Sequence, residues 1–293
     1  MKFLVTGSAG LVGSQEVKDL VQQNHTVYSC YNKTKPLDGI ITPLDLSDKN
    51  QIIQTLEEIK PDRIIHLAAM TGVDLCETEQ ELATTINTKS TEIIAKQAAK
   101  NNIFFLYVST DYVFNGIDGM KKESDSPNPL GFYGKSKLGG ELALNKLASN
   151  WCIVRTSTPF GIHPTKKSFP LWIKENLDAK KEIPVLVDQF TTPTYVPNLS
   201  KMLIEIATRQ INGIIHVSGA TRISRYDLAE LIAGKFNLDK NLLIPTKIDT
   251  MNWKAQRPKD SSLNTSLASE NLNEQPQKIE KSLELFINEL NSN

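Results

Sequence analysis

Short apolar runs and helical stripes alternate along the first half of the chain. Lys2–Thr6 is a compact apolar run of the buried-strand type, and Leu11, Val12, Val17, Leu20 and Val21 then recur at helical spacing. Thr26–Tyr31 and residues 40–44 continue as strands. Asp48 is placed to cap a helix whose Ile52, Ile53, Leu56 and Ile59 share one face. Strands follow at 63–69, 103–108 and 151–154, separated by a long helix over 80–100 and another from Tyr133 through Leu138, Leu142 and Leu147. Strand–helix alternation of this kind predicts an α/β fold, a Rossmann-type doubly wound parallel sheet.

Beyond residue 157 the alternation loosens. Helices are expected over 168–177, 199–208, 226–236 (with Ser224 as cap) and 279–290, with strands at 184–187 and 213–217. The division expected is a Rossmann domain over 1–157, to which 196–217 returns, and a smaller interleaved part over 158–293.

Composition narrows the class. Lys plus Arg and Asp plus Glu stand at 33 each, so no global charge draws the chain to nucleic acid or an anionic membrane. No apolar run approaches the ~20 residues that span a bilayer. Cys30, Cys76 and Cys152 lie far apart, which fits reduced thiols and offers no metal-ligand pair. The expectation is a cytoplasmic protein with no metal site.

The candidate chemistry lies at strand ends. The first strand runs into Gly7-Ser-Ala-Gly10-Leu11-Val12-Gly13. Glycines there allow a tight turn, close approach to a pyrophosphate and close helix–strand packing. The spacing is G-x-x-G-x-x-G rather than G-x-G-x-x-G. The second strand ends in Asn32 and Lys33, with Lys35 just beyond, where an acid would bind the ribose 2′-hydroxyl of NAD. A cation without that acid favours the 2′-phosphate, so NADP(H) is preferred and NAD(H) stays open. Ser109, Thr110, Asp111 and Tyr112 close a middle strand, the place where open α/β sheets bind ligands. Tyr133 and Lys137 are four apart, one helical turn, so a nearby ammonium is expected to lower the phenol's pKa. Chance supplies roughly 0.6 such pairs in a chain of this composition. Tyr31 and Lys35 are a decoy with the same spacing. His66, in a buried strand, is expected to be structural.

Taken in order, these segments resemble the extended short-chain dehydrogenase/reductase family, and within it the dTDP-4-dehydrorhamnose reductases. The carriers are Gly7–Gly13, His66-Leu-Ala-Ala69, Ser109-Thr-Asp-Tyr-Val-Phe-Asn-Gly116, Tyr133-Gly-Lys-Ser-Lys137, Arg155-Thr-Ser157, Pro193-Thr-Tyr195 and Arg257-Pro-Lys-Asp-Ser-Ser-Leu263. The resemblance implies reduction of a nucleotide-linked 4-keto-6-deoxy sugar by NADPH, with Tyr133 as general acid. It implies that Lys137 tunes the tyrosine and binds the nicotinamide ribose, and that Thr110 bonds the carbonyl oxygen. It further implies that Asp45 and Leu46 touch adenine, and Ala68 and Ala69 the middle of the cofactor. Asp111 and Tyr112 would contact the sugar and Arg257 the nucleotide side.

Two positions depart from that pattern. Thr158-Pro159 stands where the branch places an aromatic against the sugar. Gln15, with Glu16 adjacent, stands where bacterial members that dimerise around magnesium carry a glutamate, so a homodimer stays open. The same resemblance supports two other readings. One is a non-catalytic NADP-binding regulatory subunit like the β subunit of methionine adenosyltransferase, whose partner would be the catalytic subunit. The other is a nucleotide-sugar epimerase.

Overall fold

A computed structural model describes residues 1–292. Its centre is a sheet of seven parallel strands. Six are β1 (Lys2–Thr6), β2 (Thr26–Tyr31), β3 (Ile40–Pro43), β4 (Arg63–His66), β5 (Phe104–Thr110) and β6 (Trp151–Thr156). The order is β3-β2-β1-β4-β5-β6, with Gly213–His216 pairing β6 at the far edge. The chain moves outward from β1 to β3, then crosses back to lay β4 on the other side of β1. That reversal leaves a crevice at the carboxyl ends of β1 and β4, where such sheets take their ligands.

Each face of the sheet is buried, which is why the strands read as continuous apolar runs rather than alternating ones. Phe3, Val5, Phe104, Leu106 and Val154 face a layer formed by helix α1 (Leu11–Gln22) and helix Val196–Arg209. Leu4, Ile64, Phe105 and Ile153 face helix α2 (Lys49–Ile59), helix Ser90–Lys100 and the C-terminal end of helix Phe132–Leu147. Asp48 caps α2, its carboxylate accepting the N–H groups of Asn50 and Gln51, and Ser224 caps helix Arg225–Lys235 through Asp227. No helix among the described residues is long and apolar enough to cross a membrane.

The C-terminal residues build their own core, in which Phe160, Ile173, Leu177, Leu228, Ile232, Leu283 and Phe286 meet. Three two-stranded ribbons frame it: Pro159–Phe160 with Thr194–Tyr195, Phe190–Thr191 with Ile223–Ser224, and Ile183–Leu186 with Leu243–Thr246. The first of these ribbons begins just beyond Ser157, and its Pro159 borders the crevice.

One expected element is different. The helix anticipated over 80–100 is a short α-helix, Gln80–Ala83, a π-helical segment, Thr84–Lys89, and an α-helix, Ser90–Lys100. The cause lies in side-chain bonds. Asn87 accepts from Met70 N at 2.8 Å, donates to Met70 O at 3.1 Å and to Ser136 Oγ at 2.9 Å, and Thr88 Oγ1 donates to Ser136 O at 2.7 Å. The widened turn places both polar residues against the loop after β4 and against the tyrosine helix, a known use of π segments at functional sites.

Candidate active site

The crevice is a cleft of about 810 Å³. One wall is the turn between β1 and α1. Gly7 has φ +69°, a left-handed conformation suited to glycine, and a Cβ on Gly13 would stand 2.1 Å from Gly7 O. The turn is therefore a cradle that side chains would fill. α1 opens on Gly10 with no side-chain cap and no acid in its first turn, leaving its N–H groups and positive dipole end to an anion. These features fit the pyrophosphate of a dinucleotide. Asn32 and Lys33 lie further along the same cleft, and Leu44, Leu46, Ala68 and Ala69 supply apolar surface.

The other wall is made where β5 meets helix Phe132–Leu147. Gly134 lets that helix touch the end of β5, since a Cβ there would lie 2.1 Å from Tyr112 O. The contact brings the Tyr133 ring to 5.9 Å from that of Tyr112, and its hydroxyl to Thr110. Lys137, one turn along, is 2 % exposed. Its Nζ donates to Val108 O at 2.8 Å and lies 4.2 Å from the Tyr107 ring centroid. Tyr107 is in turn fixed by His66, which stacks on it with ring centroids 5.6 Å apart. His66 bonds Thr6 and Thr91, and burial pulls its pKa down to about 3, so it is a neutral structural residue.

Electrostatics alters the expectation drawn from spacing. Lys137 was expected to pull the Tyr133 phenol down. Instead burial pushes the phenol well above its usual range; the Thr110 hydroxyl opposes this, while Asp111 and Cys76 add to the rise. Lys137 itself is lowered to about 7, chiefly by burial, with Glu141 and Cys76 opposing. The physical reason is that the ammonium spends its charge on the Val108 carbonyl and the Tyr107 face, in a site where desolvation dominates both groups. Tyr133 is held protonated, the state of an acid rather than a base.

Thr110 is engaged on both sides. Its hydroxyl donates to Asp111 Oδ1 at 2.9 Å and accepts from Tyr112 N at 3.2 Å. Asp111 is buried and also accepts from Ser157 Oγ at 2.7 Å. Burial raises its carboxyl above the ordinary carboxylate range, against the pull of the surrounding hydroxyls.

The cleft gathers most of the residues singled out from sequence: Gly7, Gly10, Leu11, Val12, Gly13, Asn32, Lys33, Leu46, Ala68, Ala69, Thr110, Asp111, Tyr112, Tyr133 and Lys137 all line it. Two do not. Asp45 turns its carboxylate onto Ser47 N and Oγ, both at 2.8 Å, as a local turn lock. Arg257 is ion-paired to Asp74 at 3.0 Å and stacked 3.8 Å from the Trp253 centroid, with Nη1 buried and unpartnered. Of the amino acids at the two departures, Thr158 and Pro159 line the cleft, with Thr158 at φ +43°. Glu16 is turned into the interior, fully buried, and Gln15 donates to Asp19 at 2.7 Å. Sequence reasoning missed Asn87, which binds the site together, and Arg225, which lines it. Asn87 had no local signal, because its partners lie 17 and 49 residues away.

Comparison with known proteins agrees with this geometry. The model of the RmlD substrate binding domain family matches residues 1–292. The chain is 32% identical to the probable low-salt glycan biosynthesis reductase Agl14 of Haloferax volcanii, covering 91% of this chain and 90% of that protein. It is 32% identical to a dTDP-4-dehydrorhamnose reductase of Aggregatibacter actinomycetemcomitans, covering 96% and 97%. It is 30% identical to the methionine adenosyltransferase 2 subunit beta of Danio rerio, covering 90% and 83%. Among solved structures, the dTDP-4-dehydrorhamnose reductase of Bacillus anthracis in complex with NADP superposes with a TM-score of 0.89 at 31% identity, over 99% of this chain and 100% of that one.

Proposed function

Because the chain belongs to the RmlD substrate binding domain family, we propose that it is an NADPH-dependent reductase of a nucleotide-linked 4-keto-6-deoxy sugar, with Tyr133 as general acid. The observation that carries the reading is the meeting of Thr110, Tyr133 and Lys137 on one wall of a cleft whose other wall is the glycine cradle. Residues 1–157, joined by 196–217, hold the cofactor, and 158–293 supply most of the substrate's surroundings.

The glycine turn and the α1 N-terminus would take the pyrophosphate, Asn32 and Lys33 the adenosine ribose and its phosphate, and Ala68 and Ala69 the middle of the molecule. When bound, NADPH supplies the hydride for the carbonyl carbon. The chain's own residues do the rest. As charge grows on the carbonyl oxygen, Tyr133 gives it the phenolic proton, a step for which a phenol held protonated is suited. Thr110 stabilises the same oxygen by turning its hydroxyl proton away from Asp111. Lys137, at an ionisation near neutrality, bonds the nicotinamide ribose and steadies the tyrosinate left behind. Purified protein mixed with NADPH and dTDP-4-dehydro-6-deoxy-L-mannose should oxidise the cofactor; absence of turnover with this and related ketosugars would remove the reading.

A second reading has its own support. The likeness to the methionine adenosyltransferase β subunit spans 90% of the chain, and the missing aromatic at Thr158-Pro159 weakens the sugar site. On that reading the cleft retains NADP without turnover and the partner is a methionine adenosyltransferase catalytic subunit. Co-purification with that enzyme, in a protein inactive on ketosugars, would favour it.

A further inference from the structure

Arg225 is the cleft's unexplained charge. The chain has six arginines. Arg155, Arg209, Arg222 and Arg257 pair with Glu141, Glu205, Asp260 and Asp74. Arg63 spends its donors on the carbonyls of Ala207 and Asp62 at the protein's edge. Arg225 forms no ion pair with any described residue, yet its side chain lines the cleft with Thr110, Asp111, Tyr112 and Thr158.

Its surroundings hold the guanidinium without neutralising it. The group lies 5.1 Å from the Phe169 ring centroid, and its side-chain acceptor is Thr158 Oγ1 at a long 3.4 Å. Thr158 reaches that position through its left-handed backbone and is itself tied to Thr191 Oγ1 at 2.6 Å. A guanidinium has five N–H donors and keeps its proton in proteins, so most of this bonding capacity faces the cleft. Asp111, the nearest acid in the cleft, is occupied by Thr110 and Ser157. Burial disfavours the charge on Arg225, as does the field of Arg257, while Tyr112 and Asp111 favour it without forming an ion pair with it. Arg225 therefore brings to this wall of the cleft a guanidinium that no carboxylate among the described residues pairs, an arrangement suited to an anion.

We propose that Arg225 is the specificity-determining anion contact of the substrate site, taking phosphoryl oxygens of the sugar-linked diphosphate from the wall where Thr158-Pro159 offers no aromatic. The inference rests on the nucleotide-sugar reading above and adds a residue to it. Arg225 selects a diphosphate-bearing sugar over a free one, while proton transfer stays with Tyr133.

Titration of inorganic pyrophosphate and of dTDP into NADP-saturated protein tests this, with thymidine as the uncharged control. Filling the cofactor site first keeps the probes from the glycine cradle. Arg225→Met should weaken both anions by about tenfold or more, as expected for loss of a charge-assisted contact, and leave thymidine binding and NADPH affinity unchanged. Arg225→Lys should recover part of the loss and keeps the test readable should the methionine variant fold poorly. Wild-type affinity for pyrophosphate in both variants would overturn the role of Arg225 alone. Failure of the wild type to bind either pyrophosphate or dTDP would remove the nucleotide-sugar reading and this inference with it.

Discussion

The ε-ammonium of Lys137 donates to the main-chain carbonyl of Val108 at 2.8 Å, tying the tyrosine helix to strand β5 two residues before Thr110. Burial lowers this amine from 10.5 to about 7. Between those two values the unfolded chain carries a proton that the folded one has shed, so stability rises with pH there; below about 7 both states are protonated, the slope vanishes and the fold bears the full cost of the buried charge. Urea unfolding of the cofactor-free protein should show the wild type gaining stability relative to Lys137→Met between pH 7 and 10. Parallel pH profiles for the two proteins would contradict the shift.

Lys33 lies in the cleft at the end of β2 with no acid in the place that NAD would need. NADPH should therefore bind more tightly than NADH, and Lys33→Ala should lose affinity for NADPH by about tenfold, the scale of one charge-assisted bond, with little change for NADH. Fluorescence titration of the two cofactors measures both. Equal affinity of the wild type for them would remove the argument from Asn32 and Lys33.

Arg155 and Glu141 are 2 % and 3 % exposed and joined by bonds of 2.7 to 3.3 Å, with His216 Nε2 3.4 Å away. Removing one partner leaves a buried charge alone. Arg155→Met should cost about 3–5 kcal/mol, and the double change Arg155→Met with Glu141→Leu should restore a large part of it. Chemical denaturation of the single and double variants supplies the cycle, and a double variant weaker than the sum of the singles would contradict the account.

Glu16 is fully buried in α1, and neither of its oxygens has a hydrogen-bond partner, since the neighbouring Ser200 donates to Asp19 at 2.7 Å. Burial, opposed by Ser200 and helped by Asp19, raises the carboxyl well above 4.5. The folded state then holds a proton that the unfolded chain gives up above pH 4.5, so stability falls as pH rises toward the folded value. Glu16→Gln should flatten that slope and be more stable than wild type at pH 8. A variant less stable than wild type at pH 8 would show that Glu16 is ionised and satisfied.

Much of this site was legible in the chain. The β1–α1 turn and the Tyr133–Lys137 helix are local: glycines, apolar runs and i,i+4 spacing report on neighbours within a few residues. What failed to show was set by distance. The π segment at Thr84–Lys89 exists because Asn87 bonds residues 70 and 136, and no stretch of seven residues carries that information. The tyrosine's acidity followed the same rule. Spacing placed an ammonium one turn from Tyr133, whereas β5, far away in sequence, decides which way that ammonium points and how dry the phenol is. Arg225 was invisible for a related reason, since an arginine opening a helix looks like ordinary surface until Thr158 and Phe169 are folded against it.

The most direct test is single-turnover NADPH oxidation with dTDP-4-dehydro-6-deoxy-L-mannose, comparing wild type with Tyr133→Phe. The variant should bind NADPH as the wild type does and lose at least ~10²-fold in rate, the usual contribution of a positioned general acid. A Tyr133→Phe protein that oxidises NADPH at the wild-type rate would contradict the assignment of Tyr133 as the acid.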